Sequence, residues 1–137
     1  MAGVIRYLLD TDICIELLKG RDPRLDARLR QCAAGEVGVS TITVFELTYG
    51  AHRSAQVARN QAALAAFFLP LVLVPFDAQA AALAGEVRAL LAGAGTPIGV
   101  YDLLIAAQAL ALGVPVVTNN EREFRRVPGL QLENWTR

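Results

Sequence analysis

Residues 4–12, Val-Ile-Arg-Tyr-Leu-Leu-Asp-Thr-Asp, combine a short strand with the start of a helix. The apolar run over 4–9 has strand character, and a helical stretch follows from about Asp12. Asp10 stands directly after the apolar run, where the strand ends. A strand that leads straight into a helix is typical of proteins in which parallel strands alternate with helices. These nine residues therefore favour an α/β fold with acidic groups at a strand end.

The rest of the chain continues this alternation. Further strands are predicted over 37–39, 71–76, 114–117 and 130–132. Helices are predicted over 23–35, 41–53, 56–69, 78–92 and 100–112, with Pro23 at a first helical position, Asp77 as a cap and Gly113 as a stop. Short strands separated by helices predict one α/β domain over 1–137, a short parallel sheet with helices on both faces.

Composition agrees with a compact domain and excludes several classes of protein. Hydrophobic residues make up 54% and charged residues 19% of the 137 residues, which is typical of a globular chain rather than a disordered one. The longest apolar run, 62–76, is too short for a membrane span and contains two prolines. Arg6 and Asp10 interrupt the apolar start, which argues against a signal peptide. We therefore expect a cytoplasmic protein without a membrane partner.

Cysteine and histidine are too few for a disulfide framework or a structural zinc site. Cys14 and Cys32 lie among apolar neighbours and are predicted to be buried thiols. His52 is the only histidine and is predicted to lie on a helix surface. A structural zinc site needs about four closely spaced Cys and His ligands, so this class of site is excluded.

The chain carries no net charge, but its basic residues are clustered. All of its 13 basic residues except Lys19 are arginines, and they concentrate over 19–30 and 122–126. An arginine guanidinium binds phosphate oxygens through paired hydrogen bonds. Arg24, Arg28 and Arg122 are therefore candidate substrate contacts, although ordinary solvated helix faces explain the same pattern.

Polar residues follow several of the predicted strands. Asp10 ends the first strand, Glu46 lies on the helix after the second, and Asp102 lies in the first turn of its helix. Thr118, Asn119 and Asn120 follow the strand over 114–117. Ligands of open parallel sheets bind at the carboxyl ends of the strands, so these groups are expected to meet there. Carboxylates gathered without lysines repel one another, and a divalent cation is the usual remedy.

Each acidic residue also fits a structural role. Asp10 or Asp12 would serve as the N-cap of the first helix. Thr43-Val-Phe-Glu46 fits a capping box, in which Glu46 accepts from a backbone N–H. Asp102 near a helix N-terminus is stabilised by the helix dipole, and Asn120-x-x-Glu123 fits a helix start.

Four blocks of the sequence, taken together and in order, carry a family resemblance. They are LLDTD at 8–12, STITVFELTYG at 40–50, GTPIG at 95–99 with YDLLIAA at 101–107, and TNNEREF at 118–124 followed by VPGL at 127–130 and ENW at 133–135. In these blocks the chain resembles the PIN-domain ribonucleases of the VapC toxin type over essentially its whole length. Asp77 lies outside all of them and is left out of the expected site.

The resemblance implies a metal site. Asp10, Glu46 and Asp102 correspond to the family's metal-binding carboxylates, with Mg²⁺ as the cofactor and Mn²⁺ as an alternative. Asn120 stands where many relatives carry an aspartate, and Glu123, one helical turn later, is expected to supply that charge as a further catalytic residue. Asp12 stands where Asn or Ser is common, and the resemblance assigns it no role.

Thr11, Thr118, Asn119 and Asn120 are expected to support this site. The resemblance also implies hydrolysis of phosphodiester bonds in a structured RNA, and the signatures at 118–124 and 133–135 are similar to those of the subgroup that cuts the anticodon loop of initiator tRNA.

The partners that the resemblance implies are a VapB-like antitoxin and a second copy of the chain. DNA is expected to contact only the antitoxin. Leu64, Phe67, Phe68 and Leu69 are candidates for a groove or dimer surface, with core packing as the stronger alternative.

Two other functions fit parts of the sequence. Leu-Leu-Asp10-Thr-Asp12 resembles the nucleophile motif of haloacid-dehalogenase phosphatases, but that chemistry needs a later lysine, and the sole lysine is Lys19. A PIN-fold binding module without catalytic activity is the second alternative, because Asn120 replaces an acidic residue. Metal-dependent cleavage of RNA, with release of phosphate from a monoester as the control, separates these functions.

Overall fold

The computed structural model describes residues 4–137. The strands are β1 (Tyr7–Leu9), β2 (Val37–Ser40), β3 (Val72–Val74), β4 (Val116–Val117) and β5 (Leu132–Glu133). The helices are α1 (Thr11–Lys19), α2 (Pro23–Arg30), α3 (Thr41–Arg53), α4 (Val57–Phe68), α5 (Ala78–Gly93), α6 (Val100–Leu112) and α7 (Glu121–Phe124).

The strands form one parallel sheet in the order β3-β2-β1-β4-β5. Leu9 pairs with Val39 of β2 on one side and with Val117 of β4 on the other. The strand order reverses between β1 and β4, so the helices that follow these two strands leave on opposite faces. Such a reversal opens a crevice at the carboxyl ends of the strands, where α/β proteins bind their ligands.

Helices cover both faces of the sheet, as predicted. Successive side chains of a strand point to opposite faces, and in β1 both Leu8 and Leu9 are fully buried. Leu9 belongs to a core cluster with Ile13 of α1 and Leu47 of α3. Leu8 belongs to a second cluster that is built largely from α5, α6 and α7. The predicted α/β domain with a two-sided parallel sheet is therefore confirmed.

Two glycines lie at positions that disfavour a larger residue, one because of close packing and one because of its backbone conformation. A Cβ at Gly38 in β2 would lie 3.1 Å from both Ile5 Cδ1 and Val74 Cγ2, so these two side chains would have to shift to admit a larger residue. Gly113 ends α6 with a φ of 71°, a left-handed conformation that glycine adopts without a steric penalty.

Several predicted boundaries were wrong. Helix α1 begins at Thr11, and α2 ends at Arg30 instead of extending to 35. The segment after α2 turns instead, because the Glu36 carboxylate accepts from Ala33 N at 2.6 Å and holds the chain in a turn. Strand β3 covers Val72–Val74 rather than 71–76, since Pro75 has no N–H for the ladder. The last strand is Leu132–Glu133 rather than 130–132.

The remaining expectations concern isolated side chains. Cys14 is buried, Cys32 is partly buried, and both are free thiols. His52 is exposed on α3, as predicted. Leu64 is buried in the core and the two adjacent phenylalanines, 67 and 68, pack against it, whereas Leu69 is 85% exposed. In the part of the chain that the structure describes, no helix has the length and apolar character needed to cross a membrane.

Candidate active site

Asp10 lies at the centre of the strand-end crevice. It follows β1, its backbone N–H donates to Val117 O in β4, and the residue is only 1% exposed. Its Oδ1 accepts from Ile13 N at 2.7 Å, which makes it the N-cap of α1. The Thr118 hydroxyl lowers the pKa of this carboxylate, against the larger effect of burial. The N-cap role is therefore confirmed, and the cap itself fixes the carboxylate at the end of the sheet.

Glu46 reaches the same crevice from α3. This helix begins at Thr41, and its N-cap is Ser40, whose hydroxyl accepts from Ile42 N at 3.0 Å. The capping box over Thr43–Glu46 was therefore a wrong prediction, because Thr43 lies inside the helix. Glu46 Oε1 instead accepts from Thr11 Oγ1 at 2.7 Å.

Two threonine hydroxyls determine which atom donates in the bond between Thr11 and Glu46. Thr11 Oγ1 also lies 2.9 Å from Thr43 Oγ1. A hydroxyl has one hydrogen to donate, so Thr11 donates to the Glu46 carboxylate and accepts from Thr43. Thr43 is fully buried, and it therefore anchors both the α1 threonine and, through it, Glu46.

Asp102 and Glu123 form the other side of the crevice. Asp102 lies in the first turn of α6, and its carboxylate lies close to that of Glu123 of α7, whose charge raises the pKa of Asp102. Glu123 Oε1 accepts from Gly99 N at 2.7 Å, and Glu123 Oε2 accepts from Asn120 Nδ2 at 3.1 Å. Asn120 is thus the donor that orients Glu123, the residue expected to supply the charge that Asn120 lacks.

The residues after β4 complete this edge. Thr118 is fully buried, and its Oγ1 accepts from Asn120 N at 2.8 Å. This bond turns the chain from β4 into α7. Asn119 lies between them and is exposed. The structure therefore brings Thr11, Thr118 and Asn120 into bonds with the acidic groups or with one another, and it leaves Asn119 at the surface.

The electrostatics of the crevice are those of crowded carboxylates. Burial raises the pKa of Asp10 to about 7, with smaller contributions from the charges of Asp12 and Glu46. Burial also raises the pKa of Asp102 to about 7, and the charge of Glu123 adds to the shift. The pKa of Glu46 is raised for the same reason, while the Gly99 N–H lowers the pKa of Glu123. Among residues 4–137, lysine and arginine form ion pairs only with acidic residues other than Asp10, Glu46, Asp102 and Glu123.

These donors suit a hard divalent cation better than any other group. They are oxygen atoms of carboxylates, hydroxyls and an amide, which Mg²⁺ and Mn²⁺ prefer, and the crowded negative charge is what such a cation offsets. Within the described residues, no three acidic, histidine or cysteine side chains already stand at coordinating positions around one point. Glu46 turns toward Thr11, and Asp102 toward Glu123, so these side chains would have to rotate to share an ion.

The arginines proposed as phosphate contacts are placed differently from one another. Arg28 donates to Glu133 Oε1 at 3.2 Å, and its guanidinium lies 5.0 Å from the centre of the Trp135 ring. Arg28 therefore already has partners within the chain. Arg24 is exposed beside Asp22, and Arg122 is exposed on α7, next in sequence to Glu123.

Two residues at the crevice, Gly99 and Asp12, were not among the predicted site residues. Gly99 donates its N–H to Glu123, and a Cβ there would lie 3.3 Å from Glu123 Oε1 and 3.8 Å from Asp102 Oδ2. A glycine directly before a helix that carries a candidate ligand was the available signal. Asp12 is exposed, and its charge acts on Asp10, Glu46 and Asp102, so it is a further carboxylate at the rim.

Sequence comparisons with known proteins identify the family of this chain. The PIN domain model matches residues 7–130. The chain is 40% identical over 132 residues to "tRNA(fMet)-specific endonuclease VapC" of Salmonella typhimurium, covering 96% of this chain and 99% of that protein. It is 41% identical over 132 residues to "Ribonuclease VapC2" of Haemophilus influenzae, with the same two shares.

Solved structures agree with these sequence matches. The structure of DNA-bound VapBC from Salmonella typhimurium superimposes with a TM-score of 0.91 at 40% identity, over 96% of this chain and 98% of that chain. The DNA-bound VapBC2 of Rickettsia felis gives 0.89 at 36% identity, over 96% and 99%. The chain therefore belongs to the PIN-domain family, among the ribonucleases of the VapC type.

Proposed function

We propose that this chain is a metal-dependent endoribonuclease and the toxin of a toxin–antitoxin pair. The observation that carries the proposal is the meeting of Asp10, Glu46, Asp102 and Glu123 at the point where the strand order reverses. Acidic groups from four separate parts of the sequence gather there, and over residues 4–137 none of the four forms an ion pair with lysine or arginine. The ribonuclease names of the relatives support the same conclusion.

Asp10, Glu46 and Asp102 are the proposed metal ligands, with Mg²⁺ as the cofactor and Mn²⁺ as an alternative. When bound, such a cation lowers the pKa of a water molecule and offsets the charge that develops on the phosphate. Asp10 is held by its cap bond to Ile13 N, and Glu46 is held by the Thr11 hydroxyl. The chain's own residues thus supply the ligands, and other groups of the chain hold two of them in position.

The reaction is hydrolysis of a phosphodiester bond. A water oxygen attacks phosphorus and the bond to the leaving oxygen breaks. The attacking water releases one proton to solvent, and the leaving oxygen takes up a proton from solvent. Glu123 is a proposed catalytic residue in this step because it lies beside Asp102, where its carboxylate adds negative charge that attracts the cation directly or through a water molecule. No covalent bond to the protein is required.

The proposed substrate is a structured RNA cut in an unpaired loop. The Salmonella relative is named for action on tRNA(fMet), and we propose the anticodon loop of initiator tRNA for this chain. Phe45, Tyr49 and Tyr101 are exposed beside Glu46 around an open cavity of about 420 Å³, and aromatic faces suit unstacked bases. Exposed Arg24 and Arg122 are proposed phosphate contacts, whereas Arg28 is engaged with Glu133.

The experiment is incubation of the purified protein with initiator and elongator tRNA transcripts in Mg²⁺, followed by sequencing of the RNA ends. The proposal expects one main cut in the initiator anticodon loop. Release of phosphate from a monoester without RNA cleavage would indicate the phosphatase alternative. Binding of RNA without cleavage in Mg²⁺ or Mn²⁺ would indicate an inactive binding module.

A VapB-like antitoxin is the proposed protein partner. The solved relatives are VapBC complexes, two of them bound to DNA, and we propose that DNA contact here belongs to the antitoxin. A cavity of about 370 Å³ between α1, α3 and α4 runs from Thr11 and Glu46 to Leu64, which suits an apolar antitoxin segment that ends at the carboxylates. The proposal also includes a homodimer and a cytoplasmic location, where the RNA substrate is found.

Glu123 and Asn120 are predicted to differ in importance. Glu123→Gln should raise the Mg²⁺ concentration needed for RNA cleavage, with partial rescue at high metal, because an amide attracts a divalent cation less than a carboxylate does. Asn120→Asp restores the commoner family residue and should keep activity. The measurement is a Mg²⁺ titration of cleavage for both variants beside the parent. A Glu123→Gln curve that coincides with the parent would leave Glu123 a surface residue.

A further inference from the structure

Helix α7 carries Glu123 but is too short to be stable alone. It has four residues, Glu121–Phe124, and a helix of this length forms only when other parts of the protein hold it. Phe124 is fully buried and anchors one side of the helix in the core. Glu121, at its first position, has a different set of partners, and these lie mainly in the C-terminal segment, residues 132–137.

Glu121 connects α7 to that segment. Its Oε2 accepts from Asn134 Nδ2 at 3.0 Å, and its carboxylate forms an ion pair with Arg137 at 2.8 Å. The Glu121 side chain also pairs with Arg125 at 3.2 Å, but this pair lies within one short stretch of chain, at positions i and i+4. Only the first two contacts tie the helix to another part of the molecule.

The Asn134 amide is held so that it can donate only in that direction. Its Oδ1 accepts from Thr136 N at 2.9 Å and from the Thr136 hydroxyl, which places the amide nitrogen on the Glu121 side. The next residue, Trp135, is 3% exposed, packs edge-on against Tyr7 at 5.2 Å and donates to Glu133 Oε1. Asn134 is therefore attached to a rigid part of the core.

We propose that Glu121 and Asn134 are positioning residues for the candidate site. Their hydrogen bond, here called the α7 clamp, fixes α7 relative to the C-terminal segment and so holds Glu123 against Gly99 and Asp102. The clamp joins two separate signatures of the sequence, at 118–124 and 133–135. The inference rests on the proposed function, because it concerns the placement of Glu123 in that site.

The test removes the hydrogen bond of the clamp and then restores it with donor and acceptor exchanged. Asn134→Asp keeps the acceptor for Thr136 but sets a second carboxylate against Glu121. Glu121→Gln combined with Asn134→Asp restores a donor and an acceptor in reversed order. Two quantities are measured for each protein: the melting temperature without metal, and the Mn²⁺ concentration that gives half of the metal-induced rise in melting temperature.

The clamp predicts that Asn134→Asp raises this half-saturating Mn²⁺ concentration about 10-fold, as expected for loss of an outer supporting contact, and that the double variant largely restores it. Asn134→Ala is the second variant, used if Asn134→Asp does not fold. Arg125→Gln is the matched control: it removes a Glu121 partner of similar distance but leaves the clamp, and it should leave the Mn²⁺ concentration unchanged.

Two results would overturn the inference, and they are distinguishable. The clamp has only a structural role if Asn134→Asp lowers the melting temperature but leaves the half-saturating Mn²⁺ concentration unchanged. This conclusion requires that Glu123→Gln does change that concentration. If Glu123→Gln also has no effect on Mn²⁺ binding, the proposed role of Glu123 itself fails, and the clamp fails with it.

Discussion

Asp102→Asn is expected to abolish RNA cleavage while leaving the metal-free protein at least as stable as the parent. The change removes a proposed ligand, so the loss of rate should exceed the roughly 10–100-fold cost of losing an outer supporting residue. The half-buried carboxyl of Asp102 is crowded against Glu123, and a neutral amide of the same shape relieves the repulsion between them. Loss of activity therefore goes with equal or higher stability.

Cleavage rates and melting temperatures of the two proteins, each measured with and without Mg²⁺, check this prediction. The parent should melt at a higher temperature in Mg²⁺, because a ligand that binds the folded state stabilises it. Asp102→Asn should show little of this rise. A variant that melts well below the parent in the absence of metal would instead mean that Asp102 serves the helix terminus and not a site.

Glu46→Gln is expected to lower the rate of RNA cleavage about as much as Asp102→Asn does, and to change stability little. The glutamine oxygen still accepts from Thr11 Oγ1, so the bond that holds the side chain is kept. The charge that would bind a cation is lost. Cleavage should fall by more than about 100-fold, beyond the range of a supporting residue, in a protein with nearly unchanged melting temperature.

Thr11→Val is the comparison for this variant. It removes the bond to Glu46 and leaves the buried Thr43 hydroxyl without its partner, which should cost about 1–3 kcal/mol of unfolding free energy. The charge of Glu46 remains, and cleavage should fall less than in Glu46→Gln. If Thr11→Val were the less active of the two, the hydroxyl chain would matter more than the carboxylate.

The alternation of strands and helices was predictable because it depends on local patterns. Apolar runs of three to six residues between helical stretches suffice to predict a parallel sheet, and the positions of Asp10 and Asp102 next to strand and helix ends follow from them. The order β3-β2-β1-β4-β5 requires pairing between strands such as β1 and β4, which lie more than a hundred residues apart. That pairing makes the crevice, and only the fold reveals it.

The errors arose where a side chain acts over a distance that local patterns do not contain. The capping box over Thr43–Glu46 is a valid local motif, but Ser40 is the cap, and Glu46 turns to Thr11, 35 residues away. The pairing of Arg28 with Glu133, 105 residues away, is likewise absent from local patterns. The backbone donor at Gly99 has no side-chain signature at all.

Dependence of RNA cleavage on a bound metal is tested most simply by measuring cleavage of initiator tRNA by the purified parent protein as the free metal concentration is varied. We expect no cleavage in excess EDTA and recovery of cleavage when Mg²⁺ or Mn²⁺ is added back. Asp102→Asn should show no recovery at any metal concentration. Undiminished cleavage in excess EDTA would contradict a metal-dependent site built from these carboxylates.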